Sequence, residues 1–176
     1  MPAKLAGALA LLLAALAGWT DWRSRRIPNW LTMSGLAAGI ATNTIARGWP
    51  GLRFSLSGAG LGLLLLLPFV LLRSLGAGDW KLAGAVGALL GPSGLIDVLM
   101  VTILLAGVMA LIVVIRMGRL RQTLGNIAGM LAAIFQLRLP GPEVSIDNPE
   151  SSKIPFGVAM AGAVLLVVAR NLGVRG

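Results

Sequence analysis

Long apolar runs alternate with short segments containing polar residues, glycine or proline along most of the chain. An α-helix rises about 1.5 Å per residue and the apolar core of a bilayer is about 30 Å thick, so such runs are typical of membrane-spanning helices. The pattern therefore predicts an all-α polytopic membrane protein with about six transmembrane helices. The predicted spans are Leu5–Trp19, Trp30–Ala46, Phe54–Leu72, Trp80–Leu90, Leu95–Met117 and Phe156–Leu172.

The fourth predicted span is the shortest, and Gly91-Pro92 ends it. At about 1.5 Å per residue it is too short to cross the apolar core of the bilayer. We expect this helix to begin within the membrane plane, beside a cavity, rather than to cross the membrane completely.

Residues 118–154 depart from the apolar pattern. Apolar side chains recur at helical spacing within residues 119–137 and polar side chains occupy the other faces, which favours an amphipathic helix on the cytoplasmic face. The alternative is a seventh span, which would invert the last helix and leave the first four unchanged. Residues 139–153 are predicted to form a polar loop. Residues 1–176 are thus predicted to form a single transmembrane domain without a soluble domain.

The composition narrows the chemistry that the chain can perform. Hydrophobic residues make up 57% of the chain and charged residues 12%, whereas soluble domains carry about 25% charged residues, so a soluble globular protein is excluded. The chain has 0 His and 0 Cys, which excludes disulfides, imidazole or thiolate zinc sites, cysteine nucleophiles and triads that need an imidazole. Carboxylates, hydroxyls, amines and the backbone remain.

The net charge of +9 predicts an orientation rather than nucleic-acid binding. Basic residues do not interleave with aromatic residues, as they would on a surface that stacks bases. They are instead twice as frequent in the segments predicted to face the cytoplasm as in the outer ones, as the positive-inside rule requires. Arg23, Arg25 and Arg26 outweigh Lys4, so the first apolar run is predicted to be a retained span entering from outside, not a cleaved signal peptide.

Four of the six acidic residues are predicted to have simple structural roles. Asp97 lies at the start of the fifth predicted span, where an acid complements the helix dipole and helps to cap the helix. The other three lie in the polar loop and are predicted to be solvated: Glu143, Asp147 and Glu150.

The remaining two acids, Asp21 and Asp79, end the first span and begin the fourth. Two spans separate them, so they face the same side of the membrane whatever the helix boundaries. An acid this close to the membrane is costly and therefore suggests a function. If the two carboxyl groups meet, they share a proton because both cannot easily ionise together. Such a pair supplies a base that activates water and an acid that polarises a peptide carbonyl.

Structural roles are open for both of these acids. Asp79 can cap the N-terminus of its own helix, and Asp21 can pair with Arg25. Gly76 and Gly78 favour the catalytic hypothesis, because they remove side chains beside Asp79 and let another backbone come close, such as an extended peptide substrate.

Three short motifs resemble those of the type IV prepilin peptidases. Asp21–Asn29 looks like the first-span motif of that family, and Gly76–Lys81 looks like its G-x-G-D-x-K motif. Lys153–Ala159 is similar to the proline–glycine motif that opens the last span in the Tad/Cpa branch. The order of the motifs, the roughly 58 residues between Asp21 and Asp79, the chain length and the six-span layout extend the resemblance over essentially the whole chain.

The resemblance implies an intramembrane aspartyl protease of the G-x-G-D class, which removes the leader of pilin precursors at the cytoplasmic face. Asp21 and Asp79 would be the catalytic pair. The residues that would bind substrate or shape the site are Gly76, Gly78, Lys81, Arg25, Arg26, Ile27, Pro28 and Asn29. Larger members of the family carry a Cys-rich insertion and also methylate the new N-terminus. Without that insertion, this chain is expected to be a peptidase for Flp-type or type IV pilins that lacks N-methyltransferase activity.

Several of these residues can also serve roles outside catalysis. Lys81 can pair with Asp79 or extend to lipid phosphates. The cluster of three arginines at positions 23, 25 and 26 can anchor the topology or meet acidic residues of a prepilin. Pro28 fixes the entry to the second span, and Asn29 can cap that helix.

The implied partners are a membrane-inserted prepilin, membrane lipid and the pilus assembly machinery; no nucleic acid, metal or cofactor is expected. The implied location is the cytoplasmic inner membrane of a bacterium or archaeon, with the site facing the cytoplasm. Two rival hypotheses remain open. One is a serine–lysine hydrolase that uses Ser74 with Lys81 or Lys153. The other is a non-enzymatic membrane subunit or proton-relay protein in which the acids move protons.

Overall fold

The computed structural model describes residues 2–72, 74–118, 125 and 155–173, and this part of the chain is helical without strands. The all-α prediction is therefore confirmed for these residues. The predicted amphipathic helix and the polar loop lie outside the described residues, apart from Gly125. The helices are α1 (Pro2–Ser24), α2 (Asn29–Arg47), α3 (Trp49–Leu71), α4 (Ala77–Arg116) and α5 (Phe156–Gly173).

Three of the described helices are long and apolar enough to cross a membrane. They comprise Lys4–Ser24 in α1, Trp49–Leu71 as the whole of α3, and Ala77–Arg116 as the whole of α4. The apolar part of α5, Phe156–Asn171, is shorter, and α2 includes buried polar residues. Length and composition thus support a membrane protein.

Helix α4 contains a break at Gly91, whose φ of 72° and ψ of −178° are not helical. A Cβ built on Gly62 or on Gly87 would lie 3.0 Å from Leu95 Cδ2. In a continuous helix, Leu95 would lie about 12 Å along the axis from Gly87. The chain therefore folds back at Gly91, and residues 77–90 run antiparallel to residues 92–116. This break falls between the fourth and fifth predicted spans.

Two buried side chains satisfy the carbonyl groups that the break exposes. Pro92 has no N–H, so the carbonyl of Ala88 loses its helical partner. Asn43 Nδ2 donates to Ala88 O at 3.0 Å and to Leu89 O at 3.3 Å, and Ser55 Oγ donates to Ala88 O at 2.8 Å. Because lipid offers no hydrogen bonds, these contacts from α2 and α3 hold the break in place.

The helices pack into two groups. One group consists of α2, α3 and residues 77–90, and Gly58 and Gly87 let the last two approach backbone to backbone. The other group consists of α1, α5 and residues 92–116, where a Cβ on Gly18 would lie 2.9 Å from Ala161 Cβ. Fully buried side chains from both groups form one core: Leu82, Val86, Leu89, Val98, Met160 and Val164.

Asp97 differs from the predicted helix cap. The second part of α4 resumes directly after Gly91, because proline is well suited to the first position of a helix. Asp97 therefore lies more than one turn into the helix, where it forms an ion pair with Arg170 of α5. This contact joins the two helices at the end of α5 opposite to Phe156.

Candidate active site

Asp21 lies one turn before the end of α1 and is 7% exposed. Its Oδ2 accepts a hydrogen bond of 2.9 Å from the backbone N–H of Gly157, and the backbone of Val158 also bonds to the carboxylate. Both residues belong to the first turn of α5, so Asp21 caps a helix far away in sequence. The charge of Arg25 also acts on Asp21.

Asp79 is the third residue of α4 and is half-buried. Its carboxylate bonds to the backbone of Gly76, the residue immediately before the helix, as in a capping box. A Cβ built on Gly76 would lie 3.0 Å from Asp79 Oδ2. The predicted capping role of Asp79 is therefore present, and Gly76 keeps one side of the carboxylate clear.

The charge of Asp21 acts on Asp79, which agrees with the expectation that both lie at the same end of the bundle. One carboxyl group bonds to the first turn of α5 and the other to the residue before α4. Two carboxyl groups that come close together readily share one proton, and such a pair performs general acid–base chemistry without a further ionisable group.

The segment between α1 and α2 packs directly on the glycine that precedes Asp79. A Cβ built on Gly78 would lie 3.2 Å from Ile27 Cβ and 3.4 Å from Ile27 O. The backbone that approaches Gly78 is therefore the chain's own, whereas the sequence had suggested room for a substrate. Gly78 and Ile27 thus shape the site through their mutual packing.

Lys81 bonds to a partner other than those predicted from the sequence, Asp79 and lipid phosphate. Its Nζ donates to Asn29 Oδ1 at 2.9 Å, which connects the start of α4 to the start of α2. Asn29 is the first residue of α2, and Pro28 occupies the capping position. The prediction that Asn29 caps α2 is therefore wrong, because its side chain is engaged with Lys81.

The arginine cluster lies on the surface beside the site. Arg23, Arg25 and Arg26 are exposed, and Arg25 directly follows α1 with a positive φ of 53°. The backbone N–H of Arg25 donates to Asp21 O at 2.9 Å. Arg25 therefore shapes the end of the helix that carries Asp21, while topology anchoring and prepilin contact both remain compatible with these exposed side chains.

Trp80 and Gly157 make contacts that the sequence did not predict. Trp80 Nε1 donates to Leu63 O at 2.6 Å and attaches the start of α4 to α3. Gly157 belongs to the last of the three motifs, but nothing local indicates that its N–H reaches Asp21. The proline before the helix, Pro155, was the available signal that a helix N-terminus with free N–H groups begins there.

Ser74 and Lys81, the residues of the serine–lysine hypothesis, each bond to another partner. Ser74 Oγ bonds to Leu72 O at 3.4 Å, while Lys81 bonds to Asn29. Lys153 lies outside the described residues. In the part of the chain that the structure describes, no group of three or more acidic residues could hold a metal ion.

Comparison with known proteins gives one match. The sequence model of the type IV leader peptidase family matches residues 8–115, which is more than half of the chain and includes Asp21 and Asp79. No curated protein and no solved structure matches the chain.

Proposed function

Since the chain belongs to the type IV leader peptidase family, we propose that it is an intramembrane aspartyl endopeptidase that removes the leader of type IV or Flp-type pilin precursors. The observation that carries this proposal is the electrostatic interaction between Asp21 and Asp79, two acids that are far apart in the sequence. Both acids lie within the residues that the family model matches.

In the proposed reaction the two carboxyl groups hold one proton between them. The ionised carboxylate takes a proton from water, whose oxygen attacks the carbonyl carbon of the scissile peptide bond. The protonated carboxyl group gives its proton to the carbonyl oxygen. The resulting tetrahedral diol collapses as its C–N bond breaks. The carboxyl group that took the proton from water gives it to the leaving nitrogen, and the other carboxylate takes a proton from a diol hydroxyl, so that a new carboxyl group and a new amine are formed.

The proposed substrate is a membrane-inserted helix whose scissile bond lies beside the arginine-rich loop. A peptide bond inside a helix is shielded by its own turn, so the substrate must unwind locally before water can attack. We place the site at the cytoplasmic face, because the basic residues 23, 25 and 26 flank it. No residue invoked here is suited to N-methyl transfer, so the proposed activity is peptide hydrolysis alone.

In the membrane we propose six spans, in which the two parts of α4 cross separately. Successive spans then run antiparallel. Helix α5 begins at the membrane face where α1 ends, which agrees with the contact between Gly157 and Asp21. The residues from 77 to 90 form a span of about 21 Å, shorter than the bilayer core. This leaves room for water to enter from the cytoplasmic side near Asp79.

Co-expression with a candidate Flp-type prepilin tests the proposal. Leader removal is measured as a decrease in pilin mass. It should occur with the wild type and be abolished by Asp21→Asn and by Asp79→Asn. Asp97→Asn is the matched control, because Asp97 pairs with Arg170 away from the site, and it should cleave normally. Cleavage that survives either of the first two changes would contradict the dyad.

The rival hypotheses give different results in the same assay. Ser74→Ala should leave cleavage intact, whereas a serine–lysine hydrolase would lose it. A proton-relay protein would cleave none of the prepilins offered and would instead carry protons across liposomes in a manner that depends on the two acids.

A further inference from the structure

The N-terminus of α5 contacts the Asp21 carboxyl group directly. The backbone N–H of Gly157 donates to Asp21 Oδ2 at 2.9 Å. The backbone of Val158 also bonds to this carboxylate. The first turn of α5 thus holds the Asp21 carboxyl group in one orientation, with Oδ2 engaged by Gly157.

Position 157 also has no space for a side chain. A Cβ built there would lie 3.0 Å from Asp21 Cβ, 3.0 Å from Oδ2 and 3.2 Å from Cγ. The first and last of these are closer than carbon atoms normally approach, since favourable contacts lie at about 3.5–4.0 Å. Any other residue would push the Asp21 side chain away from α5 and change the orientation of its carboxyl group.

We propose that Gly157 is a positioning residue, which sets the Asp21 carboxyl group through its N–H and through the absence of a side chain. The inference rests on the proposed function, because it gives Asp21 a geometry that only matters if the residue is catalytic. It makes the start of α5 a third component of a site otherwise built from α1 and α4. Gly157 would act through Asp21, without touching substrate.

The test compares two glycine variants of the full-length protein in liposomes that also contain a purified prepilin. Gly157→Ala should lower kcat on the order of 100-fold, because a displaced catalytic group loses alignment, while KM stays near the wild-type value. Gly7→Ala is the matched control. It adds the same methyl group to the interface of α1 and α5, 3.3 Å from Val168 Cγ1, but it lies about 21 Å along α1 from Asp21, so kcat per folded molecule should stay unchanged.

A second variant removes the N–H without adding any atom that could clash. Replacing the amide between Phe156 and Gly157 by an ester, with glycolic acid in place of glycine during in vitro translation, should also lower kcat and leave KM unchanged. This variant decides the question if Gly157→Ala does not fold. Equal thermal stability of the ester variant and the wild type in detergent identifies the loss of kcat as an effect on the site.

Two results separate the possible failures. If the wild-type protein does not cleave prepilin, the proposed function is wrong. If the wild type cleaves and the ester variant keeps the wild-type kcat, the proposed function stands and the positioning role of Gly157 is wrong. A rise in KM with unchanged kcat would also overturn the inference, because it would mean that position 157 contacts substrate.

Discussion

The two acids at the centre of the molecule are held in different ways. Asp79 bonds to Gly76, three residues earlier in the chain, so local geometry places it. Asp21 bonds to Gly157, 136 residues later, so its position depends on the packing of α1 against α5. One half of the pair is therefore determined locally and the other by the complete fold.

The helices around the two acids are also joined differently. Asn43 and Ser55 join α2 and α3 to the broken part of α4 by buried hydrogen bonds, and Gly58 and Gly87 bring α3 and α4 into backbone contact. Helices α1 and α5, which meet at Asp21, approach closely at Gly18 and Ala161. We infer that buried polar contacts add to close packing in the group that contains Asp79.

The largest expected effect comes from removing both acids together. If Asp21 and Asp79 act as one unit, each Asn substitution alone should lower kcat by about 10,000-fold or more. The double variant should then be hardly worse than either single variant. Losses that multiply in the double variant would show two independent contributions and would break the account of a shared proton.

Asn43→Ala should have the next largest effect, on stability rather than chemistry. It leaves Leu89 O without its side-chain donor and Ala88 O with Ser55 alone, which should cost about 1–3 kcal/mol of unfolding free energy in detergent. Cleavage per folded molecule should remain normal. Ser57→Ala is the control, since this exposed hydroxyl bonds only within its own helix; an equal loss in both variants would contradict the role of Asn43.

The smallest effect is expected from Arg170→Gln. The side chains of Arg170 and Asp97 are 58% and 43% exposed, and ion pairs on such surfaces contribute about 0–1 kcal/mol. The variant should therefore unfold within about 1 kcal/mol of the wild type and cleave normally. A marked loss of cleavage would mean that the far end of α5 controls the contact between Gly157 and Asp21.

Local and topological features could be predicted from the sequence. Apolar runs indicate helices directly, and Gly91-Pro92 marks the turn within α4 because proline lacks the N–H that a helix needs. The shared face of Asp21 and Asp79 follows from the number of spans between them, which does not depend on exact boundaries.

Contacts between distant residues could not be predicted. The bond from Gly157 to Asp21 depends on how α1 and α5 pack, and no spacing in the chain encodes it. Lys81 was expected to reach Asp79 or lipid, but Asn29 lies close enough to accept its hydrogen bond. A long side chain has many partners within reach, and the tertiary structure selects among them.

Cross-linking in the membrane tests most directly whether the two acids form one site. The chain has 0 Cys, so cysteine pairs can be introduced without a background. A short thiol-reactive cross-linker should join Asp21→Cys to Asp79→Cys. It should not join Asp21→Cys to Asp97→Cys, because their partners Gly157 and Arg170 lie about 20 Å apart along α5. A Gly18→Cys/Ala161→Cys pair serves as the positive control, because these positions lie in contact. The account would be contradicted if the Asp21/Asp79 and Asp21/Asp97 pairs cross-link equally. It would also be contradicted if the control pair reacts and the Asp21/Asp79 pair does not.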